Sequence, residues 1–284
     1  MGDLREVDAA EITRAVRELS IEINYKVPED LVGAVQRARA SEESPLGRQI
    51  LDLVLRNAEL AAEGDYPYCQ DTGSSVVFID VGQDVHIVGA DLMDAINEGV
   101  RTGYAEAYLR KSIVVDPLFE RKNTGDNTPA FVHTRIVPGD QIRIQVDAKG
   151  GGSENKGRHA MLKPSDGVEG VKAFVLKAVA DAGPDACPPG IIGVGIGGNF
   201  EYAAILAKRA LMRKVGQPSP DPLFAQLEAE LFEQCNALGI GPQSLGGTQT
   251  VLAVHIETMG THIASLPVAV NIECHAHRTG TRVI

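Results

Sequence analysis

No tryptophan occurs in the 284 residues, and aromatic residues make up 5% of the chain. So few rings disfavour a stacking platform for single-stranded nucleic acid. Cysteine is scarce as well. Four residues are too few for a disulfide scaffold and fit a cytoplasmic chain with reduced thiols. Positive charge is in deficit, with 27 Lys and Arg against 38 Asp and Glu, a net charge of −11. Such a chain is poorly suited to wrapping DNA or coating an anionic membrane, and an acidic ligand would have to meet a local cluster of Arg and Lys. The N-terminus, Met1-Gly2-Asp3-Leu4-Arg5-Glu6, lacks an apolar signal core, and no stretch reads as a membrane span. The longest weakly charged run, Gln234 to Ile272, carries only Glu257 as a formal charge. It is rich in Gly, Gln, Ser, Thr and His, which points to a buried polar interior such as the floor of a site.

What remains is an ordinary globular composition, 44% hydrophobic and 23% charged, long enough for one large core. The first sixty residues read as helices. Ile12, Val16, Leu19 and Ile23 recur at helical spacing, and Pro28 and Pro45 sit where first turns begin. Val76 to Val81 reads as a strand and Asp91 to Leu109 as a helix. Phe131 to Val137, a Pro138-Gly139-Asp140 turn and Gln141 to Ala148 read as a hairpin. Helices are expected over 168–182 and 200–215. Another starts at Asp221-Pro222, with Leu223, Leu227, Leu231, Cys235 and Leu238 on one face and Gly239 as its stop. Strands follow over 250–256 and 266–272. The expected fold is α+β: one compact domain over residues 1–284, with a helical layer over 1–64, a core over 65–284, and mixed or antiparallel sheets flanked by helices.

The cysteines differ in setting. Cys235 lies on an apolar helix stripe, the place of a buried structural thiol. Cys69, Cys187 and Cys274 lie in loops or at element ends among Pro, Gly and polar residues. Their spacing matches no local metal motif. Gly193-Val194-Gly195-Ile196-Gly197-Gly198 satisfies G-x-G-x-x-G, but Pro188 and Pro189 leave little room for the preceding strand a dinucleotide site needs. Close backbone packing is the better account. Gly150-Gly151-Gly152 could turn backbone N–H groups toward an anion, with Lys156 and Arg158 adding charge, or could be a flexible loop. His255 reads as a core residue, whereas His262 follows Met259-Gly260-Thr261, where a loop could offer an imidazole.

Five motifs in order complete the reading: Tyr68-Cys69-Gln70-Asp71-Thr72-Gly73, Gly125-Asp126-Asn127-Thr128-Pro129-Ala130, Gly150-Gly151-Gly152-Ser153-Glu154-Asn155-Lys156, Cys187-Pro188-Pro189-Gly190, and Gly241-Pro242-Gln243 with Gly246-Gly247. Together they resemble the alpha subunit of the two-subunit iron–sulfur fumarase and tartrate dehydratase family, over effectively the whole chain. The resemblance implies a 4Fe–4S cluster held by Cys69, Cys187 and Cys274. It implies catalytic roles for Asp71 and His262, and substrate binding by Gln70, Arg110 and the backbone of Gly152. It also implies a small dicarboxylate substrate, alpha–alpha dimerisation within a heterotetramer, and a beta subunit carrying the swivelling domain that single-chain relatives append. The chain ends at Ile284, ten residues after Cys274, so the site is expected to be completed by that partner. The expected reaction is the interconversion of fumarate and malate, in the tricarboxylic acid cycle. Tartrate dehydration and mesaconate hydration are the close alternatives. A zinc hydrolase using Cys274, His275, His277 and His262 would leave Cys69 and Cys187 without purpose. A binding or scaffolding subunit without its own chemistry is the third possibility.

Overall fold

The structure is a computed structural model that describes residues 4–284. It is a mixed α and β fold, with sheets flanked by helices as expected, and its internal contacts gather into two compact units. The first contains the described residues up to Pro28, together with Leu60–Gly150 and Arg278–Ile284; the second contains Glu29–Glu59 and Gly151–His277.

In the first unit, strand β1 (Arg5–Asp8) precedes helix α1 (Ala9–Tyr25), whose N-terminus is capped by Asp8 accepting from the N–H of Ala10. Helices α2 (Glu29–Ser41) and α3 (Pro45–Ala62) follow, α2 and most of α3 belonging to the second unit. The first unit resumes with β2 (Ser74–Gly82), β3 (Val85–Val88), α4 (Leu92–Glu106), β4 (Phe131–Val137) and β5 (Ile142–Lys149). The C-terminal β10 (Thr279–Val283) completes a sheet of order β10-β5-β2-β4. Ile12, Val16 and Leu19 of α1 pack with Ile96 and Val100 of α4 and with Val77, Ile79, Ile142 and Ile144 of the sheet.

The hairpin expected over 131–148 does not form. Both strands exist, but β2 lies between them, parallel to β4 and antiparallel to β5. The reason is burial. β2 is apolar on both faces and buried along most of its length, so it takes a central place; β4 is largely exposed and takes the edge. The Pro138-Gly139-Asp140 turn wraps the end of β2 instead, with the N–H of Asp84 donating to the Gly139 carbonyl and that of Gly82 to the Gln141 carbonyl.

The second unit runs through α5 (Gly151–Glu154), β6 (Arg158–Leu162), α6 (Gly167–Ala182), β7 (Gly190–Gly198), α7 (Phe200–Ala210), α8 (Pro222–Asn236), β8 (Val251–Thr261) and β9 (Leu266–Glu273). Its sheet has the order β6-β9-β7-β8. Alternate residues face opposite layers. Ile192, Val194, Val268 and Val270 pack with α6 and α8, while Ala269 faces Ala203 and Ala207 of α7. The glycine run is therefore strand, not a phosphate loop. A Cβ at Gly193 or Gly195 would overlap the carbonyl oxygens of Ala207 and Ala203, so these glycines let α7 settle directly on the β7 backbone. The edge strand β8 is capped by side chains of its own unit. Asn236 bonds the N–H and carbonyl of Val251, and the Glu228–Arg213 pair bonds the N–H and carbonyl of Ile256. Among the described residues, no helix is long and apolar enough to cross a membrane.

Candidate functional site

In the first unit, the Cys69–Gly73 segment leads into β2. Four hydrogen bonds hold it and the residue before it in place. The Asn24 carbonyl accepts from the N–H of Tyr68 at 2.8 Å. The hydroxyl of Thr72 donates to the Arg110 carbonyl at 3.1 Å, which sets Arg110 beside this loop. The Tyr104 hydroxyl donates to the carbonyl of Thr72 at 2.7 Å, and the Asn127 amide to that of Gly73 at 3.2 Å. Burial pushes the Tyr104 phenol up to about 12, so it remains a donor. Gly73 has φ +77°, and a Cβ there would meet the Ala148 backbone at 2.7 Å, so only glycine fits. Asp71 Oδ1 accepts from the N–H of Gly73 at 3.2 Å, an Asx turn. Cys69 is half-buried, with Sγ 3.7 Å from Gln70 Oε1, while Gln70 and Arg110 are exposed.

Three buried charged residues of the first unit were not singled out by the sequence. Gly150 sits at the end of β5, and a Cβ placed on it would lie 3.7 Å from Asp71 Oδ2 and 3.9 Å from an Arg278 guanidinium nitrogen. Arg278 is fully buried, donating to the Asn24 side chain and the Ala148 carbonyl, each at 3.0 Å. Asp147 and Lys149 on β5 are buried too. A hydrophobic pattern cannot find them, because β5 is buried on both faces and carries its charges inside.

In the second unit, register places two cysteines at one end of the sheet. β7 and β9 are antiparallel, with Ile191 opposite Glu273. Cys187 lies just before β7 begins and Cys274 just after β9 ends. Cys187 has left-handed backbone, φ 49°, at the end of a short 3-10 turn over Gly183–Ala186. Its carbonyl accepts from the backbone N–H of His275 at 3.3 Å and lies 3.0 Å from His275 Nδ1. Both thiols are half-exposed, unlike Cys235, which burial pushes up to about 12. The glycine-rich segment is a defined turn here. A Cβ at Gly152 would lie 2.9 Å from the Asp185 carbonyl oxygen, and Lys156 pairs with Asp185 at 2.6 Å. The third motif thus touches the short turn that leads to the fourth, and the fifth touches the fourth through Gln243, whose N–H donates to the Pro188 carbonyl at 2.8 Å.

His262 is not brought to this end. It lies in the exposed turn between β8 and β9, its Nδ1 accepting from the N–H of Ala264 at 3.1 Å. That turn lies where β7 and β8 end and β9 begins, the far end of the sheet from Cys187 and Cys274. At about 3.3 Å per residue, eight residues of β9 put more than 20 Å between them. The same separation leaves the zinc set of Cys274, His275, His277 and His262 unassembled. His255 is buried with Nδ1 donating to the Ala210 carbonyl at 3.2 Å; burial, then the Arg213 charge, pulls it down to about 4.

Comparison with known proteins supplies the family. A family model described as fumarate hydratase (Fumerase) matches residues 13–283. A Methanocaldococcus jannaschii chain provisionally named L(+)-tartrate dehydratase subunit alpha is 41% identical over 281 residues, covering 96% of this chain and 97% of its own. L(+)-tartrate dehydratase subunit alpha of Escherichia coli O157:H7 is 37% identical over 277 residues, 96% of this chain and 90% of its own. The chain belongs to the fumarate hydratase (Fumerase) family of hydro-lyases.

Proposed function

We propose that this chain is the cluster-bearing alpha subunit of an iron–sulfur dehydratase acting on a small hydroxydicarboxylate, with L(+)-tartrate in place of the malate and fumarate expected from the motifs. The carrying observation is the contrast among four thiols. Cys69, Cys187 and Cys274 are half-exposed in backbone-fixed loops, while Cys235 is sealed in a helix face. Thiolate donors of that kind suit an iron–sulfur cluster, and three of them for four irons leave one iron without a protein ligand. When bound, such a cluster supplies a Lewis acid toward a substrate hydroxyl and carboxylate.

The chain's own groups are assigned the remaining work. Arg110 pairs with a carboxylate, a geometry its planar fork favours. Gln70 and the Gly152 N–H bind further carboxylate oxygens. Asp71, whose Oδ1 accepts from the Gly73 N–H, moves the proton of the carbon next to a carboxylate. His262 is left out of this set because of its distance from Cys187 and Cys274. Loss of water from tartrate gives an enol that tautomerises to a 2-oxo diacid. The substrate choice is supported by the names of the relatives above. Those names, "subunit alpha", together with the excess negative charge, support a separate beta subunit that brings further cations to the substrate.

The test is anaerobic reconstitution of the chain with ferrous iron and sulfide, alone and co-produced with its beta subunit. It is followed by assay of 2-oxo diacid formation from L(+)-tartrate and of fumarate absorbance from malate. Turnover of L(+)-tartrate by the pair and not by the single chain is expected. A higher kcat/KM for malate would restore the fumarase reading, and a colourless chain holding no iron would overturn the cofactor.

A further inference from the structure

The loop between α8 and β8 carries an oddity. Gln243 and Ser244 are both left-handed, with φ 51° and φ 58°, although neither is glycine. Such conformations are strained outside glycine and persist only where the surroundings over-determine them. Here they do. The Gly241 N–H donates to the Thr250 hydroxyl at 3.2 Å, and the Gly246 N–H to the Ile240 carbonyl at 2.9 Å. On the far side of the loop, buried Glu42 accepts from the N–H groups of Thr248 and Gln249, each at 2.9 Å, and of Ser44 at 2.8 Å. The loop is braced at both ends, and the braces hold Gln243 in place.

What the loop presents is one amide. The backbone N–H of Gln243 and its side-chain Nε2 both donate to the Pro188 carbonyl, at 2.8 Å and 3.1 Å. The same Nε2 lies 3.1 Å from His275 Nδ1, which is also 3.0 Å from the Cys187 carbonyl. One side chain therefore touches the residue after Cys187 and the residue after Cys274. Neither neighbour is a thiol. The braced amide is the shared anchor that sets one loop against the other.

We propose that Gln243 is a positioning residue that fixes Cys187 relative to Cys274, so that the two thiolates meet one iron–sulfur cluster at a set spacing. The role rests on the cofactor reading given above. Groups that orient metal ligands are typically worth about 10–100-fold in metal affinity.

Two substitutions in the full chain test it. Gln243→Gly keeps the backbone N–H and accommodates the left-handed backbone more easily, but deletes the amide. Gln243→Glu keeps the shape and replaces the donor with a carboxylate, which repels the Pro188 carbonyl. After anaerobic reconstitution, iron and sulfide release to a chelator is timed, and the cluster-free chain is melted. The expected result is release about 10–100-fold faster from both variants, with the Gly variant melting at or above the wild-type temperature. A residue that served only to shape the turn would predict a Gly variant that keeps its iron as long as wild type, and that outcome overturns the proposal. A wild-type chain that takes up no iron removes the cofactor reading, and this role with it.

Discussion

Asn127 links two stretches of chain far apart in sequence: its amide nitrogen donates to the Gly73 carbonyl at 3.2 Å while its oxygen accepts from the Ser112 N–H at 2.7 Å. Both partners are backbone groups, and Asn127 is fully buried. Asn127→Leu would leave the Ser112 N–H without this bond, at about 1–3 kcal/mol, while the Gly73 carbonyl keeps the Tyr104 hydroxyl at 3.2 Å. A lower urea midpoint with an unchanged slope is expected. An unchanged midpoint would show that the Cys69–Gly73 loop does not depend on Asn127.

The thiol contrast gives a second expectation. Cys69→Ser, Cys187→Ser and Cys274→Ser should each prevent stable iron incorporation, and Cys235→Ser should retain it. In the cluster-free chain at pH 8, iodoacetamide should label the three half-exposed thiols and spare Cys235, whose pKa of about 12 leaves almost no thiolate. Iron analysis and peptide mapping read the two outcomes; a full cluster in any of the first three variants would remove that cysteine as a ligand.

Asp71 has a visible structural duty, since it accepts from the Gly73 N–H. Asp71→Asn keeps an oxygen for that turn and removes the carboxylate. The expected variant folds, melts near wild type and loses about 10²–10⁴-fold in kcat with the reconstituted pair. Asp71→Ala should lose stability as well. A normal kcat in Asp71→Asn would reduce Asp71 to its turn.

His255 supplies a pH dependence. Its folded pKa is about 4, below the ordinary value of 6.5. Between these values the unfolded chain binds a proton that the folded chain refuses, so stability falls as pH drops from about 6.5 to about 4. At 1.36 kcal/mol per unit the loss is roughly 3 kcal/mol. His255→Asn should flatten the profile of urea midpoint against pH across that window, at some cost in stability at pH 7. A profile as steep as wild type would assign the acid sensitivity elsewhere.

Much of this was legible in the chain because local rules and tertiary structure agree. Asp221-Pro222 begins α8 with the cap its sequence offers, and Cys235 falls on the buried face that its spacing gives. The three loop cysteines stood apart from it by their Pro, Gly and polar neighbours. Strand partnership was not legible. A Pro-Gly-Asp turn between two alternating runs reads as a hairpin, and only the demand of β2 for burial on both faces separates β4 from β5. Arg278 escaped notice because a charge is expected outside; its burial depends on acceptors at Asn24 and Ala148, distant in sequence. The place of His262 was not legible for a related reason. The loop after Met259-Gly260-Thr261 is found as read, but the extended strand β9 lies between it and Cys274.

The side chains that cap β8 have a consequence for behaviour in concentrated solution. An open strand edge is a template on which a second chain can add, and proteins that leave one long and bare tend to polymerise. Asn236 at Val251 and the Glu228–Arg213 pair at Ile256 occupy the hydrogen-bonding positions an incoming strand would need. The unit thus supplies its own substitute for a fifth strand, made of an amide and an ion pair that cannot be extended further. Removing Asn236 would do more than weaken a fold; it would uncover a sticky seam, and the loss would be read in light scattering before it was read in activity.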